Sequence, residues 1–347
     1  MSTTVAVVLL LALLAYAVFG GADFGAGFWD LTAGDARRGE RPRRVIERAI
    51  GPVWEANHVW LIFVFVILWT AFPEAYASIT LTLFVPLTIA ALGIVLRGAS
   101  FAFRKSVVTL RNRRLFGAGF AFSSVLVPYC MGAMAGGIAS GRVPAGGKAG
   151  DPVDGWVNPT SVMCGCLALA AAAYLAAVYL VWDARRQGEH DTAVYFRRRA
   201  LGAALVVGVI SVVGLFVLHA DAQHVYDGLT SRALPFVVLT VLCGILSCFS
   251  LTREAARGAR LFSVAAVAGL IASWGVAQWP YLLPTSLTVS AAASPDGTLE
   301  AVIAAVVLAA LIVLPGFVLL YVLDQRDLLP EEGVEDVADP ARTPVTG

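Results

Sequence analysis

Nine stretches of about twenty or more mainly apolar residues, at roughly 4–31, 50–72, 76–96, 115–139, 159–182, 200–218, 233–252, 261–279 and 299–323, constrain this chain more than any motif in it. A bilayer core holds no water to satisfy backbone N–H and C=O groups, so a run that crosses it must be helical. The expectation is an all-α integral membrane protein with nine transmembrane helices. Composition agrees: 14% of the 347 residues are charged and 59% are hydrophobic, whereas a soluble domain carries about 25% charged residues. Residues 1–323 then form one transmembrane domain. The tail 324–347 holds Glu331, Glu332, Glu335, Asp336 and Asp339 and reads as disordered.

The connections test the count. All but three of the 25 Lys and Arg fall in the odd-numbered connections and the tail; the exceptions are Arg142, Lys148 and Arg232. Cytoplasmic loops carry the excess of basic residues, so the N-terminus is expected outside and the C-terminus in the cytoplasm. The first apolar run has no basic residue before it and no small-residue cleavage site, and it reads as a retained helix. A net charge of +1 with no soluble basic patch gives no sign of nucleic-acid binding. Cys130, Cys164, Cys166, Cys243 and Cys248 lie in apolar runs without a C-x-x-C pair and read as small packing residues. Pro86, Pro128 and Pro315 fall inside runs and predict kinks. The loops near 140–158 and 280–298 read as connectors, or as caps over a partner or lipid.

Against this background a few polar groups stand out. Ionisable residues inside the membrane are expensive and usually face a protein interior or a water path. Gly51 to Trp60 places Glu55, Asn57 and His58 at the start of the second run, flanked by Trp54 and Trp60. Glu55 and His58 are three apart and share a helix face. His58 can serve as proton relay, as haem or metal ligand, or as a hydrogen-bonded helix contact. Asp23 lies in Gly20–Gly27 near the end of the first run; the glycines read as close helix packing, since no strand precedes them to make a nucleotide loop. At about 1.5 Å per residue, Asp23 is roughly 12 Å, and Glu55 roughly 8 Å, inside the cytoplasmic boundary. Two carboxylates at that depth in neighbouring helices could relay protons inward. Arg97 closes the third run; it reads as topogenic and lies near enough to the core to meet a buried acid. His219 and His224 are five apart, which is not a same-face spacing, and read as structural; no metal site is expected.

These strings resemble subunit II of the cytochrome bd-type quinol oxidases, in particular the cyanide-insensitive branch. The resemblance rests on Gly21–Gly25, on Pro52–Leu61 with Ala71–Pro73, on Arg97–Arg104, on Trp279–Pro284 with Ser286–Thr288, and on Leu314–Pro315 with Leu319–Tyr321. It implies two four-helix bundles plus one helix, paired pseudo-symmetrically with subunit I in a bacterial cytoplasmic membrane. Subunit I would carry haem b and haem d and the quinol-oxidising loop. This chain would carry no haem, scaffold its partner, and contribute Asp23, Glu55, Asn57 and His58 to a proton path from the cytoplasm. The complex would oxidise quinol and reduce oxygen to water without pumping, and the chain alone would be inactive. The resemblance also implies contact with lipid or quinone, with small accessory subunits allowed; Trp54, Trp60 and Arg97 would pack near partner haems or quinone. Departures are Glu55, Ala56 and His58, where many members have Asp, Gly and Glu or Gln, and Gly20, where many have a further Asp. A proton-coupled secondary transporter and a purely structural scaffold are the alternative readings.

Overall fold

Proline 73 shapes one end of the molecule. Its ring cannot continue a helix begun before it, so α3 (Trp54–Ala71) stops and α4 (Pro73–Thr82) leaves at 120°. The carbonyls left at the end of α3 are met by Ser294, whose backbone N–H bonds Ala71 O and whose hydroxyl bonds Thr70 O, both at 2.8 Å. The computed structural model describes residues 1–34, 39–50, 54–106 and 110–325. The side chains at 50, 54–56, 101–102, 104–106, 110–115, 321 and 324–325 lie outside that description, as does the tail from 326 whose disorder was expected.

The remaining helices are α1 (Ser2–Leu31), α2 (Glu40–Ile50), α5 (Phe84–Ser106), α6 (Leu110–Ala139), α7 (Pro159–Arg186), α8 (His190–Asp221), α9 (Gln223–Thr230), α10 (Leu234–Thr252), α11 (Ala256–Gln278), α12 (Val289–Ala292) and α13 (Asp296–Gln325). Among the described residues, seven helices are long and apolar enough to cross a membrane, or up to eight if the bent pair α3–α4 counts as one span; Phe84–Ser100 is shorter. The expected third run, 76–96, is not one helix. It breaks at Leu83, between α4 and α5. Pro86 makes no kink there, because it falls in the first turn of α5, where its missing N–H is harmless. Pro128 and Pro315 do lie inside helices.

Helix α7 is the hub. It packs against α1, α6, α8 and α11, and its alanines 171–173, 176 and 177 are buried. Helices in lipid gain nothing from hiding apolar surface, so close van der Waals packing of small residues must hold them. A Cβ on Gly25 of α1 would lie 2.0 Å from the Ala172 carbonyl oxygen. Hence α1 and α7 meet backbone to backbone, as the glycine string predicts. The N-terminus of α7 is set by Asn158, whose Oδ1 accepts from Ser161 N at 2.8 Å, with Pro159 at the first position. Helices α8, α10 and α13 are apolar and largely uncovered, with Phe216, Ile245 and Leu311 each more than half exposed; this suits lipid or a partner subunit.

The connectors 140–158 and 280–298 are folded rather than loose. Glu74, Ser78 and Thr82 form one face of α4, four apart, and accept the N–H groups of Gly146, Gly147 and Gly150 at 2.7, 3.1 and 2.9 Å. Residues 281–288 form a small hairpin, β1 (Tyr281–Leu283) with β2 (Leu287–Thr288). Leu283, Leu287, Val289 and Ala292 pack with Phe72, Leu83 and Val143 into one apolar cap.

Two of the three misplaced cations work here. Arg142 bonds Asp221 with both terminal nitrogens, at 3.1 and 2.8 Å, and Asp154 through Nε at 2.9 Å. Donating hydrogen bonds to Asp221 raises the pKa of Arg142 above its ordinary value, so the clamp is charged at any physiological pH. Arg232 donates to the carbonyls of Val276, at 3.0 Å, and Ala277, which end α11. At the opposite, arginine-rich end, α2 is an amphipathic helix that the sequence reading did not place; its Val45 and Ile46 are buried against α7 and α8 residues.

Candidate functional site

Tyr16, Asp23 and Asp30 are spaced by seven along α1, so all three lie on one helix face. All are buried. The structure surrounds Asp23 with three other helices. Asn57 of α3 donates its Nδ2 to Asp23 Oδ2 and lies 3.4 Å from Phe19 O. Arg97 of α5, 1% exposed, donates Nη2 to the backbone carbonyl of Asp23 at 2.8 Å and Nη1 to the Ser124 hydroxyl of α6. Its guanidinium lies 5.0 Å from the Phe24 ring centroid and 4.3 Å from that of Phe120. Such contacts are favourable for a desolvated cation. Gly27 makes this possible, since a Cβ there would meet Ser124 Oγ at 2.0 Å and Arg97 Nη1 at 2.9 Å.

A buried charge is tolerated only when paired or hydrogen-bonded. Asp23 and Arg97 meet that condition together, within electrostatic reach of each other though Arg97 bonds the Asp23 carbonyl rather than its carboxylate. The carboxylate is held by a neutral amide donor. An amide N–H can serve a carboxylate or the carbonyl oxygen of a carboxylic acid, so the contact survives either protonation state. Asp30 lies two turns along α1, roughly 10 Å away, also within electrostatic reach of Arg97. Arg43 of α2 approaches it, Nε to Oδ1, at 3.4 Å.

The sequence-derived residues divide as follows. Asp23, Asn57 and Arg97 come together. His58 lies beside them, with Tyr16 and Phe24 edge-on at centroid distances of 6.4 and 6.1 Å. Trp60 stands apart, stacked on Phe19 at 6.3 Å and on Phe317 of α13 at 5.7 Å. Glu55 and Trp54 belong to the first turn of α3, but their side chains lie outside the described residues. Sequence reasoning did not find Tyr16, Ser124 or the Asp30–Arg43 pair; the seven-residue spacing on α1 and the Ser123–Ser124 pair in an apolar run were the available signals. His224 lies 3.4 Å from Gln278 O and edge-on to Tyr281. Among the described residues no group of three His, Cys, Asp or Glu side chains could hold a metal ion.

The family model described as cytochrome bd terminal oxidase subunit II matches residues 1–324. The chain belongs to that family. It is similar to the cytochrome bd-I ubiquinol oxidase subunit 2 of Escherichia coli (strain K12), 24% identical over 323 residues and 80% of each chain. It is also similar to the cytochrome bd ubiquinol oxidase subunit 2 of Bacillus subtilis (strain 168), 33% identical over 114 residues, a match covering 33% of each chain. The solved bd oxidase from Geobacillus thermodenitrificans superimposes with a TM-score of 0.77 at 25% identity, covering 92% of this chain and 98% of that one. As a cytochrome bd oxidase subunit II, the chain is a multi-pass protein of the bacterial inner membrane and part of a respiratory oxidoreductase, and it implies a subunit I. The transporter reading falls with that membership.

Proposed function

We propose that this chain is the haem-free subunit of a quinol:oxygen oxidoreductase and that its Asp23 cluster carries protons inward from the cytoplasm. Quinol would be oxidised by subunit I near the outer face. Haem b and haem d, also held by subunit I, would supply the electron transfer and oxygen chemistry, and the protons consumed in making water would come from the cytoplasm without pumping. The distribution of Lys and Arg supports an outer N-terminus and a cytoplasmic C-terminus. In that orientation α1, α3, α5, α6, α7, α8, α10, α11 and α13 make nine crossings, arranged as two four-helix bundles and one further helix. Residues 1–323 then act as one transmembrane unit with a cytoplasmic tail.

The observation that carries the proton role is a buried carboxylate, Asp23, tied to Asn57 of a neighbouring helix inside an otherwise apolar bundle. The arginine-rich end bears Asp30 and Arg43, so protons reaching Asp30 pass along one face of α1 toward Asp23. Arg97 fixes the Asp23 backbone and balances its charge. Glu55 and His58 adjoin the cluster in sequence and extend the path; Trp54 and Trp60 lie on the side of quinone, lipid or partner haem, with small accessory subunits as further neighbours. The role in oxidase assembly is tested by purifying the chain with its neighbouring gene product. A complex with b- and d-type haem absorbance that consumes oxygen when given quinol is expected. A stable complex lacking both absorbances contradicts it.

A further inference from the structure

The Tyr16 hydroxyl is a buried polar group beside Asp23 that the proton path leaves unused. Tyr16 is 8% exposed and packs with Phe24, Ala90 and Val127. Its hydroxyl has no hydrogen-bond partner among the described residues. A buried hydroxyl left unpaired is costly, so a partner is expected close by. The ring shows where. A Cβ on Gly20 would lie 2.9 Å from Tyr16 Cε2 and 3.5 Å from its Cζ. The side chain therefore leans over the next turn of α1, toward Asp23, and a residue with a side chain at position 20 would meet the ring. His58, next to Asn57 on α3, faces the same ring edge-on at 6.4 Å. Tyr16 is also within electrostatic reach of Asp23 and Arg97. Seven residues set Tyr16 about 10 Å from Asp23 along the helix axis, and the lean covers about one turn of that. One water with two hydrogen bonds of about 2.8 Å spans the remainder.

Asp23 has a matching need. Asn57 Nδ2 donates to Oδ2, and Oδ1 has no hydrogen-bond partner among the described residues. The amide N–H holds Oδ2 as an acceptor whether Asp23 is charged or neutral, so a proton taken up by Asp23 is bound on Oδ1. The acid O–H formed there needs an acceptor, and the carboxylate left after its release needs a donor. A hydroxyl can be either, by rotating, whereas a guanidinium such as Arg97 only donates. The Ser124 hydroxyl is committed, accepting from Arg97 and donating to Phe120 O. We propose that the Tyr16 hydroxyl, through one bridging water, is the partner of Asp23 Oδ1. Tyr16 is then a positioning residue. It donates toward the carboxylate; when an O–H bond forms at Oδ1, water and hydroxyl turn and accept, and no bond to Tyr16 is made or broken. This role presupposes that Asp23 carries protons, and it fixes which oxygen takes the proton.

The test uses the intact complex with subunit I. Turnover with quinol is measured together with the infrared band of the protonated Asp23 carboxyl, identified as the band lost in Asp23→Asn. Tyr16→Phe keeps the ring over Gly20 and removes only the hydroxyl. Haem spectra should be unchanged, turnover should fall about tenfold, and the Asp23 band should move. Gly20→Ala, which pushes the ring aside, should move the band and lower turnover in the same way, with no further loss when combined with Tyr16→Phe. It also decides the matter if Tyr16→Phe does not assemble. A band at its wild-type position in either haem-replete variant, or wild-type turnover in Tyr16→Phe, overturns the proposal while leaving Asp23 as a proton carrier. Wild-type turnover in Asp23→Asn contradicts the proton role itself, and the Tyr16 role with it.

Discussion

Arg97 is the residue whose placement changes the account most. In the sequence it closes an apolar run and looks like a topology signal. Hydropathy cannot distinguish a cation that reaches out to headgroups from one that turns inward, because both sit at the end of a run. In the structure it is buried and joins α5 to Asp23 of α1 and Ser124 of α6. Hydrogen bonds to a charged group are worth about 1.5–3 kcal/mol each. Arg97→Met is therefore expected to destabilise the complex by about 3 kcal/mol, seen as a lower melting temperature in detergent; an unchanged melting temperature would mean the guanidinium is not what holds Asp23. Asn57→Leu removes the only side chain that donates to the Asp23 carboxylate among the described residues. Turnover should fall while haem content stays constant. Asp23 and Asn57 were legible because polar groups in an apolar run are conspicuous. Tyr16 and Ser124 were not, since a tyrosine or serine in a membrane helix is ordinary and only the packing gives each a partner.

At the scale of elements, small residues decide which helices touch. Gly25→Val would drive a side chain into the Ala172 carbonyl, and overpacking costs about 1–3 kcal/mol or more when backbone must move. The yield of assembled complex should drop. Gly202→Val in α8 is the control, because nothing lies within 4 Å of a Cβ there; equal loss in both variants would point to helix propensity rather than contact. The clip of α4 onto the glycine loop makes a second prediction. Ser78→Ala with Thr82→Val leaves two backbone N–H groups without acceptors, at about 1 kcal/mol or more each, and should hasten proteolysis within 140–158. Most helices could be read from the sequence because a bilayer imposes length and apolarity. The α4–α5 break could not. Residues 76–96 carry no charge, and the break falls at Leu83, which is buried in an apolar cap built from the distant segment 283–299.

For the whole molecule, two ends with opposite character emerge. One carries folded connectors, the hairpin and the Arg142 clamp; the other carries the amphipathic α2, the Asp30–Arg43 pair and the Arg185 and Arg197 contacts to Glu254. The exceptions to the charge asymmetry, Arg142 and Arg232, turn out to be structural ties. The broad uncovered faces of α8, α10 and α13 fit a chain that lives in lipid beside a partner. The account's central claim is that Asp23, held by Asn57 and backed by Arg97, passes protons from the cytoplasm to the oxidase. Its most direct test is Asp23→Asn in the purified, haem-replete complex reconstituted in liposomes, with oxygen consumption and proton uptake measured together. The account predicts unchanged haem spectra, turnover and uptake lower by about a hundredfold, and substantial recovery with Asp23→Glu. Wild-type turnover and uptake in Asp23→Asn would contradict it.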